Sequence, residues 1–173
     1  VVTSAGEMID GSQRPTEAVK GAGYILDSAF SIIDDLIANT PGIKGIGIAS
    51  AGRINVEDGS VLYATPNLPG WTGLNLRKIF LSKYSVPVIA DNDVNAAAIG
   101  EGWLGAAKDL DSYVCITLGT GVGGAFVVDN KVWRGNHWSG AELGHMILKA
   151  GGCPCNCGLS GCAEQYVSGT AIY

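Results

Sequence analysis

Three thiols stand close together in Cys155-Asn156-Cys157-Gly158-Leu159-Ser160-Gly161-Cys162, and an imidazole, His145, shortly precedes them. Three thiolates and one imidazole are a donor set for a tetrahedral structural zinc site. The interleaved glycines let a short loop wrap one ion without clashing Cβ atoms. Cys153 is a fifth donor, able to take the place of His145 and make the site all-cysteine. Four of the five cysteines fall between positions 153 and 162, too close for two relaxed disulfides. An odd total with no secretion signal points to reduced thiols and a metal, hence to a cytoplasmic protein. Cys115 lies in an apolar run and reads as a small buried residue. His137 has no metal-like spacing.

A second group that could do chemistry is Asp91-Asn92-Asp93-Val94-Asn95, directly before the run Ala96-Ala97-Ala98-Ile99. Asp and Asn are preferred helix N-caps, so a capping role is the plain reading. A catalytic role is compatible with it. A carboxylate at a helix N-terminus sits in the favourable end of the dipole, a suitable place for a group that must accept a proton. Neighbouring amides can hydrogen-bond a polyol. Capping by Asp91 would leave Asp93 free, but the sequence leaves open which residue caps.

The third group, Gly119-Thr120-Gly121-Val122-Gly123-Gly124, has the spacing G-x-G-x-x-G. That fingerprint binds dinucleotides only between a strand and a helix. Here Ala125 to Val128 continues as a strand and Asp129-Asn130 as a turn, so a Rossmann site is the weakest reading. A glycine loop between antiparallel strands can hold phosphate through backbone N–H groups and the Thr120 hydroxyl. A tight hairpin with no ligand is the alternative.

The elements that must carry these groups alternate strand and helix. Val1-Val2-Thr3 and Met8 to Gly11 read as strand remnants. A helix opens at Thr16-Glu17, with Ala22, Ile25, Leu26, Ala29, Ile32, Ile33, Leu36 and Ile37 at three- and four-residue steps, and ends at Asn39-Thr40-Pro41-Gly42. Ile43 to Ala49 and Val61 to Tyr63 read as strands, Leu74 to Tyr84 as a helix. Val86 to Ala90 reads as a buried strand ending at Asp91-Asn92-Asp93, followed by a helix from about Val94 to Leu104. Tyr113 to Leu118, Ala125 to Val128 and Lys131 to Trp133 complete the strands, and loops dominate from Gly151 onward. This is an α/β pattern, with a polar junction at Lys108-Asp109-Leu110-Asp111.

Composition sets the limits. The chain has 173 residues, 47% apolar and 16% charged, enough to bury a core and too apolar for disorder. Acidic residues outnumber basic ones, 16 to 11, for a net charge of −5. That balance argues against a nucleic-acid surface, which needs clustered cations. No stretch approaches the ~20 apolar residues of a membrane helix, so no membrane partner is expected. Glycine, 26 of 173, is at roughly twice its usual share of about 7%.

Taken in order, these segments resemble the ROK family of bacterial sugar kinases and sugar-responsive repressors. The resemblance covers nearly the whole chain. It is carried by Asn67-Leu68-Pro69-Gly70-Trp71, Asn92-Asp93-Val94-Asn95, Leu118 to Gly124, Gly140-Ala141-Glu142-Leu143-Gly144-His145-Met146 and Cys155 to Glu164. It implies the actin/hexokinase-like (ribonuclease H-like) α/β fold of two lobes. Residues 1–109 would form the first lobe, and residues 110–173 would begin the second with the glycine hairpin and zinc loop. It also implies transfer of the γ-phosphoryl group of ATP, with Mg²⁺, to a hydroxyl of a hexose or N-acetylhexosamine.

By the same resemblance Asp93 is the catalytic base, and Asn92, Glu142, His145 and Glu164 contact the sugar. Asn67, Gly52, Arg53 and Thr65 also approach it. Thr120, Gly121 and Gly123 meet ATP. His145, Cys155, Cys157 and Cys162 bind structural zinc, leaving Cys153 spare, and His145 turns its second ring nitrogen to the sugar. A homodimer is a common assembly of the family. The family's opening strand and Asp-x-Gly-Gly-Thr phosphate loop are not found here, and the family runs on past Tyr173. The expectation is therefore a chain incomplete at both ends that binds ATP poorly by itself. A sugar-sensing domain of a ROK-type repressor is the alternative to a kinase.

Overall fold

A computed structural model describes residues 1–172. The chain forms two compact units, one from Val1 to Asp91 and one from Asn92 onward. Both mix helix and strand, as the alternating pattern requires.

In the first unit the long helix α1 (Gly21–Asn39) follows a short 3-10 turn at Ala18–Lys20. Gly21, at φ +84°, separates the two, which is why the α-helix proper starts later than Thr16. Ala22, Ile25 and Leu26 pack on one core cluster and Leu26, Ala29, Phe30 and Ile33 on a second, so the helical spacing marks a true inward stripe. Strand β1 (Ile46–Ser50) pairs with β4 (Val88–Asn92) across a crossover, and β2 (Arg53–Asn55) forms an antiparallel ribbon with β3 (Ser60–Tyr63). Helix α2 (Leu76–Leu81) is shorter than its apolar run, because Asn75 caps it by accepting a bond from the Lys78 N–H at 2.8 Å.

The first core comprises Ile54, Val61, Ala64, Trp71, Leu76 and Ala90. Trp71 donates its indole N–H to Ser50 Oγ at 2.9 Å, so a buried hydroxyl and a buried indole satisfy each other. The second core is Phe80, Tyr84 and Val88 with Phe30 beside them. Burial, with the Tyr84 hydroxyl donating to Asp34 Oδ1 at 2.9 Å, pushes the Tyr84 phenol well above its ordinary range.

Three readings change here. The N-terminal strand remnants amount to one isolated bridge, Val2 to Met8. Strand β2 (Arg53–Asn55) lies where no strand was expected from so short and polar a run. Strand β4 continues through Asp91 to Asn92, so it delivers the polar segment directly to the next helix.

The second unit opens with α3 (Asp93–Leu104), packed on an antiparallel meander of β5 (Tyr113–Leu118), β6 (Val122–Val128) and β7 (Lys131–Trp133). Ala98 and Ala125, both fully buried, let helix and sheet approach closely, with Val127, Val94, Tyr113, Cys115 and Val132 around them. Tyr113 donates to the Ala98 carbonyl at 2.7 Å. Thus α3 packs with the glycine hairpin and not before the polar junction at Lys108. The β6–β7 turn places Asp129 and Asn130 at φ +49° and +61°, the left-handed pair that suits strand twist in a two-residue hairpin. Two four-residue helices, α4 (Glu164–Val167) and α5 (Gly169–Ile172), follow the cysteine loop, where only loop was expected. Among the described residues no helix is long and apolar enough to cross a membrane.

Candidate functional site

Asn92 is the last residue of β4 and the N-cap of α3. Its side-chain oxygen accepts from the N–H groups of Val94 at 2.9 Å and Asn95 at 3.1 Å. The question left open by the sequence is thereby answered: the cap is the amide of Asn92, while Asp91 is buried in the strand. The same Asn92 donates its Nδ2 hydrogen to Asp93 Oδ1 at 2.9 Å, and Val94 N–H adds a second bond to that oxygen at 3.0 Å. Asp93 is exposed in the first turn of the helix. One carboxylate oxygen is thus held by its neighbours, orienting a group that could accept a proton at the other.

Glu142 and His145 come from the segment after β7, where Leu143–His145 makes a 3-10 turn. Gly144 lets this turn lie against β6, since a Cβ there would stand 2.2 Å from the Val122 carbonyl oxygen. The backbone is also bent at Ala141, φ +60°, immediately before Glu142, a conformation that costs a residue with a Cβ about 1 kcal/mol or more.

Four ligand atoms converge beyond it. Those of His145, Cys155, Cys157 and Cys162 all lie within 4.8 Å of one another. Cys155 Sγ is 3.7 Å from His145 Nδ1, and Cys157 Sγ is 3.5 Å from Cys162 Sγ. A tetrahedral zinc with Zn–S near 2.3 Å and Zn–N near 2.0 Å sets ligand separations of about 3.6–3.8 Å. The residues therefore fit the ion. The loop is shaped by its own backbone, with Cys155 N–H on the Leu159 carbonyl at 2.8 Å and Gly161 N–H on the Cys153 carbonyl at 2.7 Å. Gln165 donates to Cys155 Sγ at 3.6 Å, support for a thiolate of the kind metal sites use. A backbone N–H from Leu159 draws the Cys157 thiol below its ordinary range, and burial pushes Cys162 up to about 12. Cys153 is exposed and outside the converging group, so of the two candidates for the fourth position it is His145 that joins the three thiols.

The glycine loop is shorter than its sequence suggests, because β6 begins at Val122. Only Gly119, Thr120 and Gly121 form the turn. The segment 164–170 grips it: Val122 N–H donates to Glu164 Oε2 at 3.0 Å, Gly169 N–H to the Gly119 carbonyl at 2.8 Å, and the Thr170 hydroxyl to the Thr120 carbonyl at 2.9 Å. The N–H groups of Thr120 and Gly121 donate to none of the described residues. Gly119, Thr120, Gly169 and Thr170 line a depression of about 360 Å³. Gly169 and Thr170 escaped the sequence reading. The one available signal was a small polar Ser-Gly-Thr run soon after Glu164. Gly123 sits inside β6 opposite Thr117, where a Cβ would meet Val94 at 2.4 Å. Its lack of a side chain serves the approach of strand to helix.

The remaining candidates lie in the first unit. Gly52, at φ +103°, would bring a Cβ within 2.5 Å of the Tyr63 carbonyl oxygen. Gly52→Ala should lower stability by about 2 kcal/mol or more, from strain and overlap together. A fall in the urea midpoint with unchanged m would register it. Arg53 opens β2, and its buried Nε–H has no hydrogen-bond partner among the described residues, a donor that a ligand acceptor would satisfy. Thr65 and Asn67 are exposed in the turn after β3, where Leu68 N–H bonds to the Thr65 carbonyl at 2.9 Å. His137 is exposed and apart from the metal-like group.

A model described as the ROK family matches residues 1–173. A glucokinase of Halalkalibacterium halodurans is 36% identical over 176 residues, covering 99% of this chain and 53% of that protein. The xylose repressor of Bacillus subtilis is 34% identical over 148 residues, covering 86% of this chain and 38% of that protein. The crystal structure of a ROK family glucokinase from Streptomyces griseus, in complex with glucose and AMPPNP, superimposes with a TM-score of 0.88 at 34% identity, covering 99% of this chain and 53% of that one. The chain thus spans about half the length of the curated glucokinases it matches. The fold is the actin/hexokinase-like α/β fold of ROK sugar kinases. With the family model running the whole length of the sequence and a relative of this identity covering nearly all of it, the chain belongs to the ROK family.

Proposed function

We propose that the protein containing this chain is an ATP-dependent sugar kinase acting on a hexose or N-acetylhexosamine. The observation that carries this reading is Asp93, one oxygen held by Asn92 and Val94, at the start of α3. A carboxylate so oriented can take the proton of a sugar hydroxyl as its oxygen attacks the γ-phosphorus; the new O–P bond forms while the bond to ADP breaks. Asn92, Glu142, His145 and Glu164 are the proposed hydroxyl partners in the second unit, and Gly52, Arg53, Thr65 and Asn67 those of the first. Unmatched donors and acceptors would penalise a wrong epimer. The N–H groups of Thr120 and Gly121, which donate to none of the described residues, are suited to phosphate oxygens. Mg²⁺, when bound with ATP, would neutralise charge on the transferred group.

The Cys155, Cys157, Cys162 and His145 donors would hold structural zinc, which supplies rigidity and no chemistry of its own. With Nδ1 of His145 toward the thiols, its Nε2 is left for a sugar hydroxyl. Reduced thiols suit a cytoplasmic protein.

The test is ADP release by the full-length protein over a panel of glucose, mannose, fructose and their N-acetylamino relatives. Turnover with at least one sugar, well above the sugar-free rate, is expected. The match to xylose repressors supports one other reading, a sugar-sensing domain. Sugar-dependent thermal stabilisation without ADP release from any sugar would favour that reading over the kinase.

A further inference from the structure

The cysteine loop and the glycine turn are joined by one short segment that touches both. Glu164 and Gln165 are the first two residues of α4, directly after Cys162 and Ala163. Gln165 turns toward the loop, donating to Cys155 Sγ. Glu164 turns toward the glycine turn, accepting from Val122 N–H, and it fills the space where a Cβ on Gly121 would stand, 2.4 Å from Oε2. Farther along, Gly169 and Thr170 hold the carbonyls of Gly119 and Thr120. The root of the segment is fixed from the other side, by Ala163 N–H on the Met146 carbonyl at 2.8 Å and the bridge between Ile147 and Cys162.

We propose that the metal loop sets the shape of the Gly119–Gly121 turn, with Glu164 and the Gly169-Thr170 pair as positioning residues that transmit it. This rests on the reading of that turn as phosphate-binding and adds that its geometry depends on metal occupancy. The physical reason is the shortness of the path. One residue, Ala163, separates the proposed metal ligand Cys162 from the carboxylate that accepts the Val122 N–H. An ion that fixes Cys155 and Cys162 therefore fixes the loop end of the strut twice, through Gln165 and through the chain itself. Without the ion the loop keeps its backbone bonds, but its ligand side chains are tied to one another only by weak sulfur hydrogen bonds, and the strut is freer to shift. The three bonds occupy Val122 N–H and two carbonyls, and use neither the Thr120 nor the Gly121 N–H group.

Amide hydrogen exchange on the full chain, zinc-loaded and chelator-stripped under reducing conditions, tests the coupling. Stripping should speed exchange at Val122 and Gly169 by about tenfold, with Ala125 inside the β5–β6 ladder unchanged. In zinc-loaded protein, Glu164→Ala should speed Val122 about fivefold, and Glu164→Gln, whose amide oxygen still accepts, should restore protection. Unchanged Val122 and Gly169 exchange after stripping overturns the proposal. So does a rise shared equally by Ala125, which would mean general unfolding, or an unaltered Val122 rate in Glu164→Ala. None of these readouts involves turnover, so an inactive protein in the ADP assay would leave them standing.

Discussion

Asp93→Asn should lower the turnover number for ADP release by about 10²- to 10⁴-fold, the usual contribution of a general base. The substitution is chosen because it keeps the shape of the side chain. Its carbonyl oxygen can still accept the bonds that Asn92 and Val94 make to Asp93 Oδ1, so α3 keeps its start. The N-cap itself is Asn92 and is untouched, and thermal unfolding should move little. What disappears is a basic oxygen for the hydroxyl proton. The loss should therefore fall on kcat with KM for the sugar nearly constant, the pattern of an interaction made only in the transition state. Full turnover in Asp93→Asn would show that this carboxylate is not the base. Loss through unfolding would appear instead as a shifted melting temperature.

Removal of the metal should have the next largest effect. Freshly purified, reduced protein is expected to carry one zinc per chain by elemental analysis, and Cys162→Ala to carry almost none. Cys162 is fully buried and its sulfur lies 3.5 Å from that of Cys157, so no solvent ligand readily replaces it. Binding to the folded loop alone adds directly to folding free energy, several kcal/mol for structural zinc. Stripped protein and Cys162→Ala should both melt at clearly lower temperature. Cys153→Ser should leave zinc content and melting unaltered, because its thiol lies outside the converging group. Zinc-free native protein, or zinc lost in Cys153→Ser, would reject the proposed ligand set. The site should also empty in acid, since its thiolates and imidazole must be deprotonated to bind.

The relation between sequence and structure differs from element to element. The inward stripe of α1 was legible because burial imposes a period on side chains, and Ala22, Ile25, Leu26, Ala29 and Ile33 obey it. The β6–β7 turn was legible because few residues tolerate a left-handed pair, and Asp129-Asn130 does. Strand β2 was not legible: Arg53 to Asn55 holds a single apolar position, Ile54, too short a run to show a period, and its pairing comes from β3 and the turn between them. The end of β4 was misread because Asp91 and Asn92 resemble loop residues, yet one is buried in the strand and the other caps a helix. The three thiols and the imidazole were legible as donors because few residue types bind a soft divalent ion and their spacing was short.

Residue chemistry and local spacing are thus what the primary structure of this protein determined: the alternation of strand and helix, the family, and a cluster of donors that can close on one ion. These depend on neighbours a few positions apart. Tertiary folding decided three other matters. The amide of Asn92 caps α3, His145 and not Cys153 completes the donor cluster, and Glu164, Gly169 and Thr170 take hold of a turn more than forty residues away. The first follows from β4 running through Asp91 to Asn92 and so into the helix; the other two depend on which groups meet once separate segments pack, and no local periodicity encodes such contacts.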